Sequence, residues 1–435
     1  MKRLFLSSFA ANVFVRFLNL WTGILGARFL GPFGRGELAA ANRWSNLFVL
    51  LFTIGLPGAV IFYGKQSRER QGEYISAYLI VGTIVGIVGF VVGELVVPHL
   101  FYHQPPQLIR LAQISMISVP FGIVADGLVG TMLTLNMFGK VIGIRLLGET
   151  GTFLVIITLI CFGRYTVGYF IIVNLLWSVV VFAFTVYLVL RSVKLDFSWL
   201  WLNVRVLLLK GVHIYSAALV TMFGANIDQL VMSLFLTPYT LGLYAVGASI
   251  GGILPGILGA TLGNYLWPKL MDLSTHERKL KIEKIHGVLM YGSLGVSIIT
   301  GSVLPFLLPL VYGSKFGAAT AMTEIMLLST PVSIGYLVIT YLLSTENRFS
   351  IITIAEALGL ASGLMVTLPL IHFWEGVGAA VGVLVANLVK WVYLLVYSRR
   401  LDLSFAALMS PYLGSFVSLF RVLTEKITSR RTVTN

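Results

Sequence analysis

Charge is what this sequence has least of. Asp, Glu, Lys and Arg make up 11% of its 435 residues, where a soluble domain carries about 25%. Soluble enzymes, nucleic-acid binders and disordered scaffolds all need a charged, water-facing surface, so the shortage excludes them. Acidic residues are scarcest, 17 against 31 basic, for a formal net charge of +14. The basic residues stand in short clusters between long apolar runs, as in polytopic membrane proteins, which argues against a nucleic-acid partner. Cysteine is nearly absent. Cys161 stands alone, so no internal disulfide and no cysteine pair for a metal or redox centre exists. There is no Walker loop either, so no nucleotide hydrolysis is expected, and with no large soluble domain to hold an active site the chain is not expected to be an enzyme.

What is present is apolar: 57% hydrophobic residues and a mean hydropathy of +0.91. About 20 apolar residues cross a bilayer as a helix. With that ruler the sequence predicts an all-α polytopic membrane protein with twelve transmembrane helices. They fall near 5–30, 42–63, 74–97, 107–136, 140–162, 166–190, 208–236, 241–268, 286–311, 317–343, 350–372 and 376–398. The basic start and apolar run at residues 1–14 resemble a secretory leader, but Arg16, Trp21 and Arg28 follow, and an uncleaved first helix is expected. Of the 31 basic residues, Arg16, Arg110 and Lys390 lie within spans. Arg28, Arg35, Arg43, Arg164 and Lys315 fall on one side, and the other 23 on the opposite side with both termini. The positive-inside rule makes that richer side cytoplasmic. Residues 196–207, with Trp199 and Trp201 beside charges, are expected to lie on the membrane surface, as is the segment 401–421 ahead of a basic tail.

An internal repeat divides the chain. LGPFGRGELAA at 30–40 aligns with LTPYTLGLYAV at 236–246, matching Leu30 with Leu236, Pro32 with Pro238, Gly36 with Gly242 and Ala39 with Ala245; Phe33 pairs with Tyr239. GLPGAV at 55–60 echoes ILPGIL at 253–258, eight residues out of that register. Two copies of six spans enter the membrane in one direction. They predict two six-helix lobes, 1–195 and 208–400, related by parallel-repeat pseudo-two-fold symmetry around a central cleft, with 196–207 as connector and 401–435 as tail.

FLGPFGRGELAAA and NIDQLVMSLFLTPYTLGLYAVGASI, with Asp228, Leu236, Gly242 and Tyr244 in fixed spacing, resemble the polysaccharide transporter flippases. These belong to the multidrug/oligosaccharidyl-lipid/polysaccharide exporter superfamily. The resemblance covers residues 1–400. It implies a flippase of the bacterial inner membrane that moves undecaprenyl-diphosphate-linked oligosaccharide outward by alternating access. The product would serve O-antigen, lipopolysaccharide, exopolysaccharide or teichoic-acid synthesis, beside membrane lipids, a polymerase and glycosyltransferases. Coupling to sodium ions or protons is also implied by the resemblance; no other cofactor is. Lipid II flippases share an arginine in the first span and an A-R-x-x-G stretch, here Arg16 and residues 27–31, but usually have fourteen spans. Alternatives are a cation-coupled multidrug extruder of the same superfamily and a non-transporting scaffold of a polysaccharide synthase complex.

For such a substrate the diphosphate calls for arginines, whose planar fork binds phosphate oxygens in two places. Arg16, halfway along the first span, is the first candidate, because a charge at that depth costs about 2.5–3.5 kcal/mol on insertion scales unless it faces water or a partner. Arg28, Arg35 and Arg43 at the outer mouth, Arg110 in span four and Arg145 in span five complete the substrate set. For ion coupling, Asn226 and Asp228 on span seven, Glu356 on span eleven and Asn387 on span twelve offer oxygen ligands. Lys390 is expected to extend toward the headgroups.

Overall fold

The computed structural model describes residues 2–401 and 403–410. All regular structure in that range is helical, as a lipid environment demands. Hydrocarbon offers backbone groups no partner, and a helix satisfies its own. In chain order the helices are α1 (Lys2–Thr53), α2 (Leu56–Gln66), α3 (Gln71–Leu100), α4 (Pro106–Met116), α5 (Ser118–Thr134), α6 (Phe138–Cys161) and α7 (Val167–Leu190). They continue with α8 (Leu200–Phe235), α9 (Pro238–Gly251), α10 (Ile253–Thr261), α11 (Trp267–Met271), α12 (Thr275–Tyr312), α13 (Thr320–Thr345), α14 (Phe349–Ser398) and α15 (Phe405–Leu408). A π-helical turn, Leu262–Leu266, joins α10 to α11. Among the described residues eight helices are long and apolar enough to cross a membrane, or nine if α9 and α10, bent by 40°, form one span. The protein is a multi-pass membrane protein.

Two of these helices are broken inside. In α1 the break is Gly31, at φ 68° and ψ −180°. Glycine adopts that conformation without the Cβ penalty, and Pro32 then starts the second arm with its φ already helical. This arm runs over 32–53, ten residues ahead of the expected second span, and ends at Ile54 (φ 47°) and Gly55 (φ 65°). In α14 the break is Glu375, at φ 43° and ψ −120°. Its two arms fold back on each other. A Cβ on Gly363 would lie 2.9 Å from that of Ala386, and one on Gly378 would lie 2.5 Å from the Leu370 carbonyl oxygen. Gly359 meets Lys390 and Gly382 meets Thr367 in the same way. Small residues four apart let two helix backbones close together. The break between α4 and α5 at Ile117 follows from Pro120, which has no N–H to give the carbonyl of Met116.

By compactness the chain forms two units: residues 1–245 with 309–316, and 246–308 with 317–435. In the first, the second arm of α1 runs antiparallel to α3, with Phe52 against Gly89, Phe48 against Gly93 and the Trp44 ring 5.6 Å from Phe101. α3 in turn runs antiparallel to α5, where Gly86 faces Pro120 and the Tyr78 ring fills the space over Gly127 while its hydroxyl donates to the Ile123 carbonyl. α8 begins at Leu200, so residues 200–207 of the expected surface connector run straight into it. Only 191–199 are non-helical in front of it, and Trp199 and Trp201 are exposed. This stretch docks on the start of α3: the Asp196 amide donates to Ser76 Oγ at 3.0 Å and Asn203 Nδ2 to Glu73 Oε2 at 2.9 Å. The second unit centres on Leu342, Leu343, Ile339, Leu394 and Ala355, contributed by α13 and α14. The segment expected at 401–421 lies outside the described residues from 411 on.

Candidate functional site

The first unit contains a cavity of about 660 Å³ between the second arm of α1 and helices α4 to α7. Its lining is unusually polar for a membrane domain. α6 turns one stripe toward it, Arg145, Gly148, Glu149 and Thr152, at the 3.6-residue period. α1 adds Asn42 and Asn46 one turn apart, α5 adds Asp126, and α7 adds Asn174. Thr152 Oγ1 donates to Asn174 Oδ1 at 2.9 Å, and the Asn19 side chain hydrogen-bonds Glu149. Trp177 forms one wall, with its indole flat against Gly151, where any Cβ would overlap the ring; its Nε1 is buried without a partner among the described residues. Two carboxylates, one guanidinium, amides and an indole can together hold a polar, hydroxyl-rich or charged guest.

Of the arginines expected for substrate, Arg145 lines this cavity. Arg16 and Arg110 are exposed on α1 and α4 and are not among its lining residues. Arg28 is exposed and donates through Nη1 to the Leu310 carbonyl at 3.2 Å. Arg35 and Arg43 are half-buried electrostatic neighbours, with Tyr165 and Tyr312 also beside Arg35, whose Nε is buried without a partner among the described residues. The six therefore divide among the cavity (Arg145), a helix terminus (Arg28), a half-buried pair (Arg35 and Arg43) and exposed surface (Arg16 and Arg110).

The ion-coupling set divides too. The side chains of Asn226 and Asp228 lie outside those described. In the second unit Glu356 is already engaged: Lys390 Nζ lies 2.6 Å from Oε2 and Tyr336 OH donates to Oε1 at 2.8 Å. Lys390 thus does not extend to the headgroups. Gly359 leaves room for its methylene stem, so the ammonium reaches across the α14 hairpin. Asn387 sits one turn before Lys390 on the same arm. Nearby, buried His286 accepts from Trp391 Nε1 at 3.1 Å, and its Nδ1 is 2.9 Å from the Leu408 carbonyl. Sequence reasoning missed Asn42, Asn46, Asn174 and Trp177, although the i, i+4 spacing of the first two was there to be read.

In the first unit a polar cavity thus lies among helices long and apolar enough to cross a membrane. The chain belongs to the polysaccharide biosynthesis protein family, which matches residues 2–274. No curated protein sequence matches it. Among solved structures it is similar to the lipid II flippase MurJ in its inward closed conformation. The alignment covers 97% of this chain and 93% of that one at TM-score 0.69 with 14% identity. It is similar also to an inward-facing multidrug-resistance MATE transporter of the MOP superfamily, over 88% of this chain and 94% of that one, at TM-score 0.64 and 14% identity. The Vibrio cholerae MATE transporter VcmN in the bent form aligns over 92% and 97%, at TM-score 0.55 and 14% identity. The fold is therefore the one these flippase and transporter structures share, and the protein is a multi-pass membrane protein of the polysaccharide biosynthesis protein family.

Proposed function

We propose that the chain is a flippase for an undecaprenyl-diphosphate-linked oligosaccharide, working outward across a bacterial inner membrane with both termini cytoplasmic and driven by a sodium or proton gradient. The observation that carries this is the pairing of family membership with a polar cavity holding Arg145 among amides and carboxylates. Amides and carboxylates hydrogen-bond sugar hydroxyls, and the guanidinium attracts phosphate oxygens. Reading Gly31 and Glu375 as reversals between spans, α8 as one span and α9 with α10 as another brings the count to twelve, in lobes 1–195 and 208–400 with a connector and tail. Arg16, Arg28, Arg35, Arg43 and Arg110 would receive the diphosphate elsewhere on its path. Asp228 with Asn226, and Glu356 with Asn387, remain the coupling candidates, with Lys390 now competing for Glu356.

Deleting the gene should make the lipid-linked oligosaccharide accumulate at the cytoplasmic face. Wild type should restore surface glycan, and Arg145→Ala or Arg16→Ala should not, at equal protein level. Full restoration by both variants would remove these arginines from the mechanism. Asp126 and Glu149 favour a second reading, export of cationic drugs, since carboxylates attract cations. That reading requires raised toxin sensitivity in the deletion strain with surface glycan unchanged.

A further inference from the structure

The repeat found in the sequence touches itself in the structure. A Cβ on Gly36 would overlap the Pro238 carbonyl oxygen and stand 2.7 Å from Pro238 C and 2.8 Å from Gly242 N. One on Gly242 would overlap the Pro32 carbonyl oxygen and stand 2.7 Å from Pro32 C and 2.9 Å from Gly36 N. The same contact is made twice with roles exchanged, as a two-fold axis generates. No side chain intervenes; backbone meets backbone. Beside it Glu37 is 2% exposed, with Oε1 buried and unpartnered among the described residues. A buried carboxylate oxygen left without a donor is costly.

A second glycine contact closes the other end of the same arm. Gly55 meets Gly211 of α8: a Cβ on Gly211 would stand 2.6 Å from the Ile54 carbonyl oxygen and 3.3 Å from Leu56 N. Tyr215 OH donates there to the Leu50 carbonyl at 2.8 Å. Between the two contacts, Trp44 Nε1 donates to Ser233 Oγ of α8 at 2.8 Å. The arm 32–53 is bounded by positive-φ residues at both ends, Gly31 before it and Ile54 with Gly55 after it. Between Gly36 and Gly55 a helix at 1.5 Å per residue spans roughly 28 Å, close to the hydrocarbon thickness of a bilayer. Along its length the arm carries Asn42 and Asn46 into the cavity wall.

We propose that residues 32–53 form a rocking strut with a glycine latch at each end, Gly36 against Gly242 and Gly55 against Gly211, and that transport opens one latch at a time. Gly31 and the Ile54–Gly55 pair are the swivels. Helix interfaces held by small residues and carbonyls part without breaking interlocked side chains. Opening either end tilts the face that holds Asn42 and Asn46, which ties access at that end to the shape of the cavity. The strut rests on the transporter reading but not on any particular cargo.

The test uses full-length protein with C161S, reconstituted in bilayers, with spin labels at F33C and Y239C for one latch and at F62C and L209C for the other. The four positions are exposed, and Lys210 Nζ already lies 4.1 Å from the Phe62 ring centre. Wild type should give short distances for both pairs. Gly36→Ala with Gly242→Ala should move most of the first pair to a second, longer peak and leave the other short; Gly211→Ala should do the reverse. Gly295→Ala, where a Cβ meets nothing within 4 Å, should change neither. An unchanged first pair in folded G36A/G242A protein, or both pairs lengthening together, overturns the strut. Should G36A/G242A not fold, a cleavable cross-link between F33C and Y239C replaces it. Protein cross-linked there and then labelled at F62C and L209C must still lengthen at that second pair when Gly211→Ala is added; a second pair that stays short in that protein overturns the proposal. Latches that respond as stated in protein that moves no lipid-linked sugar would sink the proposed cargo and leave the strut standing.

Discussion

Each unit keeps charged groups inside its helices, and the two handle them in opposite ways. In the second unit Lys390 and Glu356 close directly on each other at 2.6 Å, with Tyr336 on the remaining oxygen and side chains only 12% exposed. In the first unit Arg145, Asp126 and Glu149 stand around about 660 Å³ of space. A pair that satisfies itself specifies how helices pack; groups held apart around a volume are arranged for a guest. Charge at membrane depth therefore does not by itself locate a substrate site, because the second unit spends its charges on structure.

The largest effect should come from breaking the closed pair. Lys390→Met leaves the Glu356 carboxylate buried without its counter-charge, and should cost about 3–5 kcal/mol of stability, whereas adding Glu356→Gln should recover most of it. Unfolding curves of the three proteins in one detergent check this, and equal loss in the single and double variants would mean that the pair is not what Glu356 requires. Next, Gly151→Val drives a side chain into the Trp177 indole. It should cost ~1–3 kcal/mol by overpacking, seen as a shift in tryptophan emission and melting temperature. An unshifted melt would show that the ring leaves its place freely. Smaller still, Trp44→Phe removes the hydrogen bond to Ser233 and should cost about 1 kcal/mol.

The smallest effect is a pH dependence at the surface. The Ser198 side chain, then its backbone amide, hydrogen-bond Asp196 and hold its carboxyl below the usual aspartate range. A carboxylate with a lowered folded pKa contributes stability above its ordinary pKa and loses it as pH falls through the lowered value. Asp196→Asn should accordingly flatten the acid limb of a stability–pH curve near pH 4 and below and leave neutral pH unchanged. An unaltered acid limb would discard that contribution.

How much of this was legible in the sequence follows from which signals are local. Membrane class came from composition, since charge scarcity acts on every segment at once. The reversal near Glu375 came from span length, because 350–372 and 376–398 are each one bilayer long. Pro32 and Gly36 with Pro238 and Gly242 were legible as a repeat, but their mutual contact was not, since 206 residues separate the two copies. The start of the arm at Pro32 was misplaced to 42 because Arg35, Glu37 and Arg43 depress hydropathy over a stretch that is nonetheless helical. Among site residues, Arg145 was found by its charge. The asparagines were not, because an amide raises no alarm until its face is known. Lys390 was read as a headgroup contact because its partner stands 34 positions earlier, across a hairpin that Gly359 and Gly363 allow to close.

The most direct measurement places purified protein in liposomes with fluorescent undecaprenyl-diphosphate oligosaccharide on one leaflet and follows its appearance on the other under an imposed sodium or proton gradient. Wild type should speed translocation well above protein-free vesicles in a gradient-dependent way, and Arg145→Ala should return it to background. Wild-type translocation no faster than in empty liposomes, under either gradient, would contradict the flippase account.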